Sequence, residues 1–232
     1  MVIGHGMIAK HFSKYIDDEN LLVFASGVSN SSTTKEADYT REQDLLLHTL
    51  QHHPQKTCIY FSTCSIYDAS LQHSLYVQHK LKMEHFIQDK AASYIIFRVS
   101  NPVGFTPNPH TVLNYFVQHI KSREHFTLWQ NASRNLVDMD DVFNICDQLI
   151  QTQTIKNTIV NIANPVNYPV INIIAAIEQH FAIKGNYTLA EKGSSPFIDT
   201  TAIQPLFSLL HINFNSNYLP GLLKKYFPTH DV

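Results

Sequence analysis

A tyrosine and a lysine stand four residues apart in the segment SLYVQHKLKMEHFI, residues 74–87. On a helix with 100° per residue, Tyr76 falls on the apolar side and Lys80 lies about 40° from it. An ammonium group on an apolar face costs several kcal/mol unless it has a partner or a chemical task. One interpretation is a helical ion pair between Lys80 and Glu84, worth roughly 0.2–0.5 kcal/mol. The other is that Lys80 works together with Tyr76.

Hydroxyl side chains upstream favour the second interpretation. The apolar stretch at residues 57–62 is followed by Thr63, which precedes Tyr76 by thirteen residues. A hydroxyl, a phenol and an ammonium that converge can transfer a proton, because the ammonium stabilises the phenolate form of the tyrosine. Lys80 then has a task, and we favour this interpretation over the pair with Glu84.

These residues must be positioned by regular elements, and the sequence predicts an alternation of strands and helices. Apolar stretches without polar alternation are typical of strands buried on both faces; they lie at residues 1–4, 21–26, 57–62, 94–100 and 158–164. Helical patterns lie at residues 7–16, 36–53, 75–90, 110–122 and 139–152. The alternation predicts an α/β fold with a Rossmann-like, doubly wound parallel sheet that binds ligands at the carboxyl ends of its strands.

The loosening of this pattern after residue 165 predicts two parts. We expect a cofactor-binding domain at residues 1–165, with a substrate-side insertion near 101–135. A small C-terminal substrate lobe is expected at residues 166–232.

A glycine-rich turn follows the first predicted strand. In GHGMIA, Gly4, Gly6 and Ala9 fit the pattern G-x-G-x-x-G/A between a strand and a helix. Glycines let backbone N–H groups approach a pyrophosphate, and a helix N-terminus favours its charge. The pattern predicts that a dinucleotide binds here, with a plain tight turn as the alternative.

The second predicted strand lacks the acidic residue that completes the fingerprint. An Asp or Glu about 20 residues after the glycines ordinarily holds the adenosine ribose, and Ser26 stands at that place. Ala25, Ser26 and Gly27 offer small side chains and open backbone, which suit contact with a cofactor. A plain strand-to-loop turn has the same composition, so both interpretations stay open.

Composition excludes several classes of function. The chain has 232 residues, 44% of them hydrophobic and 16% charged, with a formal net charge of -2. This balance is unlike that of disordered, nucleic-acid-binding or polybasic membrane-binding proteins. Without an apolar run of eighteen residues or a charged leader, a cytoplasmic location away from membranes is expected. Three cysteines and fourteen scattered histidines lack metal-ligand spacing, so we expect no metal site.

Five motifs together resemble the extended short-chain dehydrogenase/reductase family, in its branch of NAD-dependent nucleotide-sugar epimerases, dehydratases and ketoreductases. GHGMIA, FSTCSIYD, YVQHK, RVSNPVG and RNLVDMDDV occur in the family's order and cover roughly residues 1–165. The resemblance implies that Tyr76 is the catalytic acid/base, Lys80 its electrostatic partner and Thr63 a hydroxyl that binds the reacting oxygen.

The resemblance also implies the binding residues. NAD or NADP would contact a set that combines the two small-residue turns with the catalytic pair: Gly4, Gly6, Met7, Ile8, Ala25, Ser26, Gly27, Ser62, Tyr76 and Lys80. A nucleotide-sugar substrate would contact Ser65, Asn101 and Arg134. Without the resemblance, Asn101 would be interpreted as a turn residue and Arg134 as a surface charge.

Three departures from the family pattern qualify this expectation. The strand at residues 21–26 resembles a later strand of the family, so the strands that usually contact the adenosine are missing. The segment from Thr63 to Tyr76 is short, which predicts a trimmed substrate mouth. Cys64 and Ser65 stand where the 4,6-dehydratases carry an Asp-Glu pair, so we do not expect dehydration.

The expected function is therefore that of an NAD(P)-dependent oxidoreductase or epimerase acting on a nucleotide-linked sugar, as in surface polysaccharide synthesis. We favour net ketoreduction slightly, because a weakly held cofactor suits an enzyme that exchanges it at every turnover. A catalytically silent protein that binds a nucleotide sugar or a protein partner is the alternative. A flavodoxin-like regulatory domain fits the sheet but leaves the proton-transfer residues unexplained. Family members often dimerise through the helix that carries Tyr76, so a homodimer is compatible with the sequence.

Overall fold

The computed structural model describes residues 1–152 and 155–229 and contains a five-stranded parallel sheet. Its strands are β1 (Val2–Ile3), β2 (Leu21–Phe24), β3 (Thr57–Thr63), β4 (Tyr94–Val99) and β9 (Thr158–Ile162). They lie side by side in this order, each hydrogen-bonded to the next, and strands β5 to β8 lie outside this sheet. All four pairings are parallel. The predicted Rossmann-like α/β fold with few strands is confirmed.

Helices cover both faces of this sheet. They are α1 (Met7–His11), α2 (Glu36–His52), α3 (Leu75–Lys90) and α5 (Met139–Thr152). Successive residues of β2 show the division: Val23 packs with α1 and α5, whereas Leu22 and Phe24 pack with α2 and α3. Both faces of each strand are therefore apolar, which explains the runs without alternation.

Strand β1 lies at the edge of the sheet, next to β2 alone among the described strands. Going from β1 to β2 and from β2 to β3, the chain moves across the sheet in the same direction. The connecting helices α1 and α2 nevertheless lie on opposite faces of the sheet. The two connections therefore have opposite hands, although such connections are right-handed in about 98% of cases. A connection through α1 would have the usual hand if it led to a strand beyond β1. This geometry agrees with the expectation that strands of the adenosine side are missing.

The remaining elements build a second layer beside the carboxyl ends of the strands. Three two-stranded sheets pair β5 (Asn101–Val103) with β8 (Leu136–Asp138), β6 (Phe126–Trp129) with β11 (Tyr187–Ala190), and β7 (Ser133–Arg134) with β10 (Tyr168–Pro169). The helices are α4 (Val112–Ser122), α6 (Val170–Phe181), α7 (Gln204–Leu209) and α8 (Tyr218–Tyr226). Residues from α4, α6 and α8 share one apolar cluster, separate from those of the sheet.

The segment around α7 returns to the sheet. Ile203 and Ile212 are buried in the cluster that α1 and α5 form on the sheet. The division at residue 165 remains a prediction, and residues 230–232 of the predicted lobe lie outside the described residues. Within the described ranges, no helix is long and apolar enough to cross a membrane.

Candidate active site

Lys80 lies in the interior, with its ammonium group bound entirely by protein. Helix α3 begins after Ser74, whose Oγ accepts a hydrogen bond from Val77 N at 3.2 Å. Lys80 is 3% exposed. Its Nζ donates to Glu42 Oε1 at 3.0 Å and to Tyr60 OH at 3.0 Å, with a longer contact of 3.4 Å to the carbonyl of Phe61. An ammonium has three N–H donors, so all three have a partner here.

Glu42 is the counter-charge of this group. The carboxylate is fully buried and accepts hydrogen bonds from Tyr60 OH and Val28 N, both at 2.6 Å. His79 Nε2 lies 3.1 Å from Glu42 Oε2, an ion-pair distance outside hydrogen-bond geometry. Burial raises the pKa of the Glu42 carboxyl, but the charge of Lys80 and the surrounding donors outweigh burial and hold that pKa well below its usual range. Lys80 therefore has a partner from another helix, which the sequence analysis did not identify.

Glu84 belongs to a different network. Glu84 is 2% exposed. Its carboxylate accepts hydrogen bonds from Arg98 Nε at 2.9 Å and from Arg98 Nη2 at 2.6 Å, which makes the ion pair bidentate. Ser62 Oγ donates to the same carboxylate at 2.5 Å. The interpretation of Lys80 and Glu84 as a surface pair is wrong, because each is buried with another partner. The hydroxyl of Ser62, expected beside the cofactor, is directed to Glu84.

The hydroxyl of Thr63 caps the turn that follows β3. A 3-10 turn spans Cys64–Tyr67, and Thr63 Oγ1 accepts from Ser65 N at 3.0 Å and donates to Ser65 Oγ at 3.0 Å. Arg98 Nη1 donates to Tyr67 OH at 3.1 Å, so the Glu84–Arg98 pair also supports this turn. The predicted catalytic Thr63 and the predicted substrate residue Ser65 are thus adjacent and mutually bonded.

Tyr76 lies in the first turn of α3, one turn before Lys80, and is half-buried. The pKa of Tyr60 is raised well above its usual value by burial and by the charge of Glu42, with smaller contributions from Tyr76 and Glu84. This environment surrounds the hydroxyl that binds the Lys80 ammonium.

The glycine-rich turn packs directly on the end of β2. Gly4 has φ +129°, and a Cβ there would lie 2.4 Å from the carbonyl oxygen of Ala25, so the position requires glycine. At Gly6, by contrast, a Cβ would meet nothing within 4 Å. The two small-residue turns therefore lie side by side at the carboxyl ends of neighbouring strands, with open space at Gly6 and the start of α1 at Met7. The turn is thus open at Gly6, and the helix that follows it, α1, is only five residues long.

Gly27 connects this cofactor-side turn to Lys80. A Cβ at Gly27 would lie 2.6 Å from Lys80 Nζ and 3.2 Å from Glu42 Oε1. The ammonium is therefore directly against the backbone of the turn that the sequence analysis assigned to the cofactor. The structure brings these predicted cofactor and catalytic residues together.

Arg41 is a residue of this region that sequence reasoning missed. Its exposed guanidinium donates to Ser26 O at 3.0 Å and to Ser26 Oγ at 3.1 Å.

Glu42 could not be recognised from the sequence either. Arg41 and Glu42 are neighbours in an α2 segment whose sequence is typical of an ordinary polar helix face. A buried acid at position 42 has no sequence signal except its spacing from Leu46, Thr49 and Leu50, which are the other buried residues of α2.

The other two predicted substrate residues, Asn101 and Arg134, lie on the second layer. Asn101 Nδ2 donates to Asn135 O at 2.8 Å, joining β5 to β8. Arg134 Nη1 donates to Ser133 O at 2.9 Å. Burial lowers the pKa of Arg134, and the carboxylate of Asp68 partly offsets this. A guanidinium has five donors, so Arg134 keeps further donors for an anionic ligand.

The parallel sheet, with the glycine-rich turn at its edge, defines a Rossmann-like protein. Residues 20–163 match the protein family described as "NAD dependent epimerase/dehydratase family", and the chain belongs to this family. The match begins at residue 20, so the glycine-rich turn lies before it. No curated protein matches the sequence.

Solved structures with the same fold share little sequence with the chain. UDP-glucuronic acid 4-epimerase from Bacillus cereus, in complex with UDP-glucuronic acid and NAD, has 18% identity and a TM-score of 0.68 over 90% of this chain and 75% of its own. RMD from Pseudomonas aeruginosa, complexed with NADPH, has 13% identity and a TM-score of 0.66 over 89% and 91%. UDP-glucose 4-epimerase from Thermus thermophilus, in complex with NAD, has 13% identity and a TM-score of 0.67 over 93% and 79%. At these identities the likeness is one of fold.

Proposed function

We propose that the protein is an NAD(P)-dependent oxidoreductase or epimerase that acts on a nucleotide-linked sugar. The observation that carries this proposal is the position of the Lys80 ammonium against Gly27, with Tyr76 one helical turn before Lys80 on the same helix. Membership of the NAD-dependent epimerase/dehydratase family supports the same reaction class. Similar solved structures hold NAD or NADPH, and that of the Bacillus cereus epimerase holds UDP-glucuronic acid together with NAD.

Each residue then has a defined task. Backbone N–H groups at Gly4, Gly6, Met7 and Ile8 would hold the cofactor diphosphate, and the turn Ala25–Gly27 would lie along its nicotinamide half. A bound nicotinamide dinucleotide supplies or accepts hydride. Tyr76 would transfer a proton to or from a sugar oxygen, Thr63 would hydrogen-bond that oxygen, and Lys80 would stabilise the phenolate.

The substrate would lie on the second layer. Ser65 is next to Thr63, and Arg134 would use its remaining donors for the substrate diphosphate. The Asn101 amide joins β5 to β8, so we infer that Asn101 shapes the substrate loop rather than acting alone. Dimerisation and a role in surface polysaccharide synthesis remain predictions.

Within this class we favour net ketoreduction. β1 is an edge strand of the described sheet, and Ser26 stands where a ribose-binding carboxylate is ordinarily found. The adenosine half would be held loosely, which suits an enzyme that exchanges its cofactor at each turnover. An epimerase must retain the reduced cofactor until the sugar is returned to it.

A screen of sugar nucleotides and their 4-keto derivatives for oxidation of NADH or NADPH tests this proposal. We expect turnover with a keto sugar nucleotide and its loss in Tyr76→Phe, which keeps the ring in place. Unchanged turnover in Tyr76→Phe would remove the proposed proton transfer. Tight retention of NAD through gel filtration, with interconversion of two sugar nucleotides without added cofactor, would contradict ketoreduction in favour of epimerisation.

One second candidate is a catalytically silent protein that binds a nucleotide sugar or a protein partner. It is favoured by the fact that every N–H donor of Lys80 already has an acceptor in the protein. A buried lysine argues against a silent protein only if catalysis is the sole reason for burying the lysine. Glu42 and Tyr60 supply another explanation, since they satisfy the ammonium inside the protein. Tight binding of a nucleotide sugar by a protein that binds no nicotinamide dinucleotide would favour the silent candidate.

A further inference from the structure

Four side chains form a closed buried cluster, here called the Lys80 network: Glu42, Tyr60, His79 and Lys80. Their residues are at most 8% exposed. Tyr60 OH donates to Glu42 Oε1 and accepts from Lys80 Nζ, while Lys80 also donates to Glu42 Oε1. Two helices and one strand of the sheet thus meet at a single carboxylate.

The three contacts of the Lys80 ammonium are unequal. The bonds to Glu42 and Tyr60 are 3.0 Å long, whereas the carbonyl of Phe61 lies at 3.4 Å, beyond the usual range of 2.7–3.2 Å for such bonds. A ligand hydroxyl can replace this weakest contact at small cost, while the two stronger bonds stay in place.

The surroundings also fix the position of the Lys80 ammonium. The ammonium lies against Gly27, where a Cβ would be only 2.6 Å from Nζ. Any side chain at position 27 would push the ammonium away from the turn. Glycine at this position and the carboxylate of Glu42 therefore act together: the first leaves space for Nζ, and the second keeps it there.

We propose that Glu42 is a positioning residue, which holds the Lys80 ammonium at Gly27 so that one of its N–H groups can bind a hydroxyl of the nicotinamide ribose. This rests on the proposed function. Glu42 acts through Lys80 and does not touch the ligand. The residue that positions Lys80 thus comes from α2, a helix that none of the sequence motifs includes.

Glu42→Gln tests this proposal because it retains the shape and one acceptor of the side chain while removing its charge. NADH and NADPH are titrated into the full chain by calorimetry, with Glu36→Gln, an exposed acid of the same helix, as the matched control. We expect roughly tenfold weaker binding in Glu42→Gln, as for the loss of one charge-assisted hydrogen bond, and no change in Glu36→Gln.

A double-mutant cycle with Lys80→Met separates positioning from a general effect on the fold. If Glu42 acts through Lys80, Glu42→Gln changes the dissociation constant of Lys80→Met by less than about twofold. Equal effects in both backgrounds would overturn the proposal. If Glu42→Gln does not fold, Glu42→Asp replaces it, since it keeps the charge and withdraws the carboxylate from Nζ; its weakening of binding must likewise vanish in Lys80→Met.

The outcomes also separate this proposal from the proposed function. A wild-type chain that binds neither dinucleotide would refute the proposed function, and the role of Glu42 with it. Wild-type binding that is unchanged in folded Glu42→Gln would refute the role of Glu42 alone.

Discussion

The burial of Lys80 predicts a large cost for Lys80→Met. The substitution keeps a long side chain but leaves the carboxylate of Glu42, which is 0% exposed, without its counter-charge. Removing one partner of a buried ion pair typically costs about 3–5 kcal/mol, a large fraction of the 5–15 kcal/mol that stabilises a typical domain. We therefore expect the free energy of unfolding to fall by about this amount at pH 7.

Urea unfolding followed by circular dichroism measures this loss. Lys82→Met is the matched control, because Lys82 is an exposed lysine of the same helix whose Nζ contacts Gln43 at 2.8 Å. Its effect should stay within about 0.5 kcal/mol. The double variant Glu42→Gln/Lys80→Met should recover much of the loss, since no buried charge remains unpaired.

The pH dependence of the same measurement follows from Glu42. Its pKa is lowered in the folded protein, so the stabilisation is complete above the unfolded value of about 4.3 and is lost as the pH falls towards the folded pKa. In Lys80→Met, protonation of Glu42 removes the unpaired charge. The difference between wild type and variant should therefore shrink from pH 7 to pH 4. A difference near zero at pH 7, or one that grows towards acid, would refute the reasoning.

Two further predictions concern the surrounding elements. Glu84→Gln should lower the free energy of unfolding by about 3–5 kcal/mol, because Arg98 loses its buried carboxylate; an unchanged urea midpoint would contradict this. Gly4→Ala should destabilise by about 1–3 kcal/mol or more, since φ is +129° and the carbonyl of Ala25 blocks a Cβ; a thermal melt equal to that of wild type would show that the turn adapts.

The sequence predicted the framework well because that framework depends on local patterns. Helix α3 was predicted at residues 75–90 and α5 at 139–152, and both are confirmed at those bounds. The predicted helix at 7–16 is wrong in part: α1 ends at His11, and a 3-10 turn at Ser13–Tyr15 follows. The two- to four-residue strands of the second layer have no periodicity long enough to detect.

The partners of buried charges were not predictable in the same way. Lys80 was correctly recognised as out of place on an apolar face, but its partner Glu42 is 38 residues away and on another helix. Glu84, which the alternative interpretation paired with Lys80, is bound instead by Arg98 of strand β4. Such pairs are fixed by the packing of α2, α3 and the sheet, which a single sequence does not specify.

Calorimetric titration of the full chain with NADH, NADPH, NAD and NADP tests the central claim most directly. We expect at least one of the four to bind, and to bind more weakly to Lys80→Met provided that circular dichroism shows a folded variant. Absence of binding for all four, together with binding of a nucleotide sugar, would contradict an enzymatic role and leave the silent sugar-nucleotide-binding protein as the account of this fold.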